Sequence, residues 1–520
     1  MNNNISINSS NSSNSTNRNN KRLEAFENQI KGKKAAVIGI AVSNTPLIGF
    51  LAERGARVTA FDKSDTPELK ARVAQIKAQG VEYRLGPGYL SGLQGFDWVI
   101  RTPVIRPDIP ELAAERERGA IVTSEMELFL DLCPATVFGV TGSDGKTTTT
   151  TIIYEMLKAH GYNCHLGGNI GKPLLSSVGS MAPSDMVVVE LSSFQLMTMK
   201  KSTNVAVITN LSPNHLDVHK SYDEYICAKK NIFTWQGPDD LCVLNYNNGE
   251  TRAMGVEAPG RLGYFCGTGG AAMPGQPDKA GAFYGVTGGK GGADRIPDVA
   301  AYIRDGYIMY RDYHIPGGDS YCGGLDRVFR LEDIRLPGRH NIDNYLAAVC
   351  AVYPYISRSD AEAVAAGFNG VEHRIEYFRT VNGARYYNDS IATSPNRTIA
   401  CLNSFEQRVI LIAGGKDKNL DFKPLGPYLA NKVKLLILCG QTSEKIKRSL
   451  LGFCQENNTP CTTPIIECEN YEAAVAAAYE NAKAKDTVVL SPSSTSFDCF
   501  KNFEERGRVF KCLVNALPGN

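Results

Sequence analysis

A chain of 520 residues is longer than one core can organise, and ordinary domain sizes predict about three domains. Hydrophobic residues at 43% and charged residues at 21% fit a water-soluble globular protein. A formal net charge of +2 excludes the basic field that nucleic acid or an anionic membrane surface would require. The fourteen cysteines are scattered, and none forms a CxxC pair, so a zinc ribbon or a thioredoxin-like site is not expected. They read as small buried hydrophobes in a reducing compartment. No apolar run approaches the roughly 20 residues that span a bilayer, and the N-terminus lacks a signal-peptide core. These features predict a cytoplasmic protein without membrane insertion.

The first 20 residues are almost all Asn and Ser, which predicts a disordered tail. From Lys21 onward apolar strands alternate with helical patterns, the signature of an α/β protein. The first unit, residues 21–131, holds a strand ending at Gly39, a helix from Thr45 to Arg54 and a second strand closing at Asp62. This βαβ order resembles a dinucleotide site only superficially, because Ala41 and Asn44 stand where the second and third glycines should be. The second unit, residues 132–336, opens with the strand Thr136 to Val140. A Gly-rich stretch at about 267–292 reads as a loop or insertion. The third unit, residues 337–520, carries strands around Tyr386, Val409 to Ala413, Leu435 to Leu438 and Thr487 to Leu490.

The strongest local signal is Gly142-Ser143-Asp144-Gly145-Lys146-Thr147-Thr148, placed between a strand and a helical stretch. Glycines let backbone N–H groups close around phosphate oxygens, and the helix N-terminus adds a favourable dipole. Lys146 is placed to reach the outer phosphates and the Thr147 hydroxyl to join Mg²⁺. Glu190 ends the next buried strand, Met186 to Glu190, where ligands of open α/β sheets gather, and supplies a metal carboxylate. His215, Asp217 and His219 follow a further strand and read equally as metal or phosphate ligands or as packed residues. Lys229 and Lys230 lie on a helical stretch, and their spacing alone suggests a solvated face. In the third unit Arg374, Asp389, the run from Gly414 to Lys418 and the run from Ser491 to Ser496 sit at strand ends, as phosphate, ribose and carboxylate contacts or as polar loops.

In this order the motifs resemble the Mur ligase family, from Lys21 to the C-terminus. Glu190-Leu-Ser-Ser-Phe-Gln-Leu196 and Phe500-Lys-Asn-Phe503-Glu-Glu-Arg506-Gly resemble its D-glutamate-adding branch. The resemblance implies three domains: a Rossmann-like N-terminal domain, a P-loop ATPase-type centre with a mostly parallel sheet, and a Rossmann-like C-terminal domain. It implies ATP and Mg²⁺, and a monomer that ligates D-glutamate to UDP-N-acetylmuramoyl-L-alanine through an acyl phosphate. Lys146 and Thr147 would bind ATP phosphates and Mg²⁺, Glu190 a first metal ion and His215 a second. Lys229 would be carbamylated and so become a carboxylate-like metal partner. Asn169, Ser192 and Gln195 would position the muramoyl substrate. Asn341 and Asn344 would contact adenine, Arg374 phosphate and Asp389 ribose. Lys418, Ser496 and Phe503 would receive D-glutamate, with Thr393 nearby. Val42, Ser43, Asp62 and Lys63 would bind uridine diphosphate.

Two departures stand out. Ile391 occupies a position where many members carry Lys, and Arg101-Thr-Pro-Val replaces a more usual Ser-Pro-Gly-Ile in the loop that the resemblance would place on the uracil side. The alternatives are another Mur or folylpolyglutamate-type ligase and a P-loop regulator without ligase chemistry.

Overall fold

The computed structural model describes residues 20–41, 43–74, 76, 80–214, 218–267, 295, 297–313, 325–336, 338–418 and 420–519. Most of the Gly-rich stretch, together with Val42 and His215, lies outside the described residues. Asn20, placed by its composition in the tail, is held in the fold. Asn20 is buried, its side chain accepts from the Arg22 and Leu23 N–H groups, and its amide donates to the Leu132 carbonyl at 2.9 Å. It caps the helix Lys21–Ile30, whose Leu23, Phe26 and Ile30 face the core. The tail predicted over residues 1–20 is therefore corrected at its last position.

The first sheet is parallel throughout, in the order Glu82–Leu85, Arg57–Asp62, Lys34–Ile38, Trp98–Arg101, Ile121–Ser124. Its inner strands are nearly continuous apolar runs because helices and neighbouring units cover both faces. Asn44 explains why the turn after Lys34–Ile38 is not a glycine-rich dinucleotide loop. Its buried amide donates to the Ile38 and Gly39 carbonyls, at 3.1 and 3.0 Å.

The central sheet has nine strands among the described residues. Its parallel part runs Cys164–Gly168, Met186–Glu190, Thr136–Thr141, Val205–Ile208, Leu241–Asn245, Arg261–Cys266, Val299–Arg304, and an antiparallel extension adds Tyr307–Asp312 and Leu325–Arg330. Helices Arg339–Val352 and Arg358–Gly367, assigned to the third unit on sequence, pack on this central sheet. Tyr345, Leu346, Ala361 and Val364 share a core with Phe138, Ile152 and Val243.

The third sheet begins at Glu376–Val381, which pairs antiparallel with Ala384–Asn388. Parallel strands Thr487–Leu490, Val409–Ala413, Val433–Cys439 and Ile465–Cys468 follow in that spatial order. Among the described residues no helix is long and apolar enough to cross a membrane, and every cysteine is a free thiol.

Candidate active site

The strand Thr136–Thr141 lies between Met186–Glu190 and Val205–Ile208, and all three deliver polar residues to one carboxyl edge. Gly142 and Gly145 have φ of 149° and 78°, and both need the missing Cβ for space as well. A Cβ on Gly142 would meet the Thr209 hydroxyl, and one on Gly145 would meet the Asn344 amide oxygen. The loop is held from outside: Ser143 N–H donates to the Asn210 carbonyl at 2.9 Å, and Asp144 N–H to the Asn210 side chain at 2.9 Å.

Helix Lys146–Ala159 starts directly at this loop. Lys146 Nζ donates to the Gly142 and Ser143 carbonyls, at 2.9 and 2.7 Å. Burial pushes its amine below the ordinary lysine range, and Arg374 and Arg397 act in the same direction, against Glu190 and Asp144. Two third-unit arginines thus bring positive charge to the glycine loop. Arg374 was expected there, and Arg397 was missed. Arg397 follows Pro395 in the first turn of helix Pro395–Asn403 and donates to the Ile391 carbonyl at 3.2 Å. A basic residue one turn beyond Thr393 was the signal available.

Glu190 is buried and has both carboxylate oxygens engaged. Oε2 accepts from the Thr147 hydroxyl at 2.7 Å and Oε1 from the Asn169 amide at 3.0 Å. Ser192 and Gln195 form a capping box that starts the short helix Ser193–Leu196 immediately after this strand. The oxygens of Glu190 and Thr147 are hard donors that suit Mg²⁺. Among the described residues, the His, Cys, Asp and Glu side chains at metal-ligand spacing are Glu372, His373 and Glu376. There Lys511 already binds both glutamates, at 3.1 and 2.6 Å.

Lys229 overturns the solvated-face reading that its spacing suggested. It is 2% exposed, at the end of helix Tyr222–Lys230, and its Nζ donates to Thr141 Oγ1 at 3.0 Å and the Gly142 carbonyl at 2.9 Å. Burial, and then the neighbouring Lys146 charge, push its amine well below the ordinary lysine range, while Glu190 and Asp144 oppose the shift. Lys230 keeps the surface role and pairs with Glu257 at 2.6 Å. His219 is buried against the Phe194 ring at 5.4 Å, with Nε2 2.9 Å from Ser193 Oγ.

The other expected contacts divide into two groups. Ser143 Oγ is engaged inside the protein, with the Ser212 carbonyl at 3.0 Å and Tyr225 OH at 2.9 Å. Thr148 lies half-buried in the first helical turn. Asn344 sits behind Gly145, accepts from Thr149 Oγ1 at 3.2 Å and donates to Asn341 at 2.9 Å. Asp389 is buried, accepts from Ser491 Oγ at 2.8 Å and from the Ile375 N–H at 3.3 Å, and is raised to about 6 by burial. It anchors the turn in which His373 and Ile375 adopt φ of 67° and 47°, and so presents the exposed Arg374.

At the carboxyl edge of the third sheet, Gly414 to Lys418 and Ser491 to Ser496 meet through the Lys416 N–H to Thr495 carbonyl bond of 2.8 Å. Lys418 is exposed, with Nζ 5.4 Å from the centre of the Phe497 ring, beside the buried Ser496. Phe503 packs edge-on against His373 at 6.0 Å, and Thr393 is half-buried after the Asp389 turn. In the first unit the Asp62 carboxylate accepts from the Ile40 and Ser64 N–H groups, at 2.8 and 2.9 Å. Ser43 precedes helix Asn44–Glu53, and Lys63 is exposed.

Three α/β units with a phosphate loop on the middle one define an ATP-dependent ligase, and the chain belongs to the Mur ligase family. The Mur ligase middle domain matches residues 140–264, and the Mur ligase glutamate ligase domain matches residues 373–494. The UDP-N-acetylmuramoylalanine–D-glutamate ligase of Acetivibrio thermocellus is 49% identical, over 95% of this chain and 99% of its own. The enzymes of that name from Ruminiclostridium cellulolyticum and Clostridium botulinum strain 657 are each 46% identical, over 95% of this chain and 99% and 98% of theirs. Among solved structures, the UDP-N-acetylmuramate-alanine ligase of Thermotoga maritima shares the fold, with a TM-score of 0.50 at 17% identity, over 93% of this chain and 99% of that one.

Proposed function

We infer that this chain joins D-glutamate to UDP-N-acetylmuramoyl-L-alanine, using ATP, in peptidoglycan precursor synthesis. The observation that carries the reading is the convergence of Lys146, Thr147, Glu190 and Lys229 on one glycine loop, in a chain 49% identical to an enzyme of that name. A nucleotide-binding regulator has no need of the buried Lys229 or of the lysine and hydroxyls gathered at the third sheet's edge.

A carboxylate is a poor acylating agent because oxide is a poor leaving group. In this reading the substrate carboxylate oxygen attacks the γ-phosphorus, the β–γ bridging bond breaks, and ADP departs. The amine of D-glutamate then attacks the acyl carbon, and phosphate leaves with that carboxylate oxygen. Lys146 and Arg374 offset the charge on the transferred phosphoryl group, a fixed electrostatic contribution that needs no reorganisation during reaction. Glu190 and Thr147 would hold Mg²⁺, which when bound supplies further charge neutralisation of the phosphates. Lys229, as a carbamate, would be a further metal partner. Lys418 and the Ser496 hydroxyl would take the D-glutamate carboxylates, and Phe503 would pack beside them. Ser43, Asp62 and Lys63 lie at the edge where the first sheet would hold uridine diphosphate. One chain carries every group named, so a monomer suffices, and ATP as donor suits the cytoplasm.

The test is phosphate release by the purified protein supplied with ATP, Mg²⁺, UDP-N-acetylmuramoyl-L-alanine and single amino acids. Release with D-glutamate and with no other amino acid is expected. Release with L-lysine or L-alanine instead would redirect the reading to another member of the family.

A further inference from the structure

Arg101 ends the strand Trp98–Arg101, level with Ile38 and Ser124, at the carboxyl edge of the first sheet. Its side chain does not stay in the first unit. Nη2 donates to Thr198 Oγ1 at 2.8 Å and to the Phe194 carbonyl at 3.4 Å, both in the central unit. Nη1 donates to the Ile105 carbonyl at 3.1 Å and to the Thr102 and Pro103 carbonyls at 3.4 Å. The residue is 1% exposed, every one of these acceptors is neutral, and Nε has no partner among the described residues.

A buried guanidinium without a bonded carboxylate is an expensive way to fill space, since an apolar side chain of similar volume avoids the desolvation penalty. Glu127 opposes that penalty from a distance, but its oxygens accept from the Lys200 N–H and the Thr123 hydroxyl. Burial lowers Arg101 only to about 10, so it remains a cation at neutral pH. The planar fork does something an apolar residue does not: it fixes two segments at once with defined angles.

The segment it reaches in the central unit is the turn that carries Ser192 and Gln195. That turn is tied in three further ways. Phe194 stacks on His219, Ser193 Oγ lies 2.9 Å from His219 Nε2, and the Leu196 carbonyl accepts from the Asn231 amide at 2.9 Å, beside the helix of Lys229. Any shift of the turn relative to the first sheet therefore moves the side chains expected at the muramoyl group.

We propose that Arg101 is a positioning residue that locks the Ser192 to Thr198 turn to the carboxyl edge of the first sheet, so that a nucleotide-sugar held on the sheet meets that turn in register. The proposal rests on the assignment of the first unit as the nucleotide-sugar site. It does not depend on turnover. The bonds of Arg101 go to residues 102–105 and to Phe194 and Thr198 rather than to the glycine loop expected to hold ATP, so its loss separates the two ligands.

The test compares Arg101→Met, Arg101→Lys and Thr198→Val with the full-length wild type. Calorimetry measures affinity for UDP-N-acetylmuramoyl-L-alanine and, separately, for a non-hydrolysable ATP analogue, and hydrogen exchange follows residues 192–198. Arg101→Met is expected to weaken the nucleotide-sugar about tenfold or more, as expected when a buried hydrogen-bonded contact is broken, with ATP-analogue affinity changed less than about twofold. Thr198→Val removes one acceptor and moves the same way by less, and Arg101→Lys recovers part of the loss. Ligand-induced protection of the 192–198 amides disappears in Arg101→Met. Wild-type protein that binds the nucleotide-sugar but releases no phosphate sinks the ligase reading and leaves the affinity split to decide Arg101. Equal weakening of both ligands, or unchanged nucleotide-sugar affinity in Arg101→Met and Thr198→Val, overturns the positioning role.

Discussion

Lys229 Nζ donates to the Gly142 carbonyl at 2.9 Å, the same oxygen that accepts from Lys146 at 2.9 Å. Two lysines from different elements thus meet at the first glycine of the phosphate loop, one at the start of its helix and one buried behind it. Two ammonium groups this close in a desolvated site repel each other, only partly offset by Glu190 and Asp144, and neutralising Lys229 relieves the repulsion.

Under the proposed function a neutral Lys229 amine would react with carbon dioxide, and the anionic carbamate would suit the Mg²⁺ expected beside Glu190 and Thr147. Lys229→Ala should lose most activity, and a short carboxylic acid in the assay should restore part of it by occupying the vacated volume. Lys230→Ala should be mild, since Lys230 points roughly 100° away on the helix and pairs with Glu257. Equal losses at the two positions would return Lys229 to a packing role.

Lys146→Ala should lower phosphate release at least about 100-fold, the scale for removing one preorganised electrostatic contact, while far-ultraviolet circular dichroism stays unchanged. Lys146 is bonded to its own loop, so near-normal turnover in the variant would detach the loop from the reaction.

Glu190→Gln keeps the volume and the Asn169 and Thr147 neighbours but removes the charge. The Mg²⁺ concentration for half-maximal rate should rise at least about tenfold, as for loss of a metal-site carboxylate. An unchanged Mg²⁺ titration would place the metal elsewhere.

Part of the geometry around the glycine loop is legible in the chain. A glycine loop between strand and helix, and Glu190 at the end of an apolar strand, are local patterns, and the structure puts Thr147 on Glu190. What escaped depends on tertiary packing. Lys229 on its helix has the same surroundings in sequence as Lys230, and it is Thr141 and Gly142, from a different element, that engage its buried amine. Helix Arg339–Val352 carries no mark of which sheet it covers. Asp389 sits in a polar run that reads as a contact loop, yet Ser491 and the Ile375 N–H engage it from within. Asn20 belongs by composition to the tail, and its cap bonds together with its bond to the Leu132 carbonyl draw it into the fold.

That last contact gives a separable prediction. Removing residues 1–19 should leave activity and thermal midpoint essentially unchanged. Asn20→Ala should cost about 1 kcal/mol, the usual worth of an N-cap, and lower the midpoint by about 2–4 °C. Equal midpoints for Asn20→Ala and wild type would contradict the cap.

Glu125, at the start of helix Glu125–Leu132, is buried, and burial raises its carboxyl to about 7 from an ordinary 4.5. The native state keeps this proton after the unfolded chain has lost it, so the stability it contributes is complete below pH 4.5 and is lost as pH rises through about 7. Glu125→Gln removes the loss, worth up to about 3 kcal/mol. The difference in thermal midpoint, variant minus wild type, should grow in the variant's favour from pH 5 to pH 8. A difference independent of pH would mean Glu125 ionises normally in the native protein.

The central claim is that the muramoyl-alanine carboxylate is activated by phosphorylation and then captured by D-glutamate. Substrate labelled with ¹⁸O in that carboxylate, incubated with the protein, ATP, Mg²⁺ and D-glutamate, tests it through mass spectrometry of the released phosphate. The acyl phosphate path places one labelled oxygen in inorganic phosphate for each amide formed. Unlabelled phosphate alongside amide product, or label recovered in AMP, would contradict it.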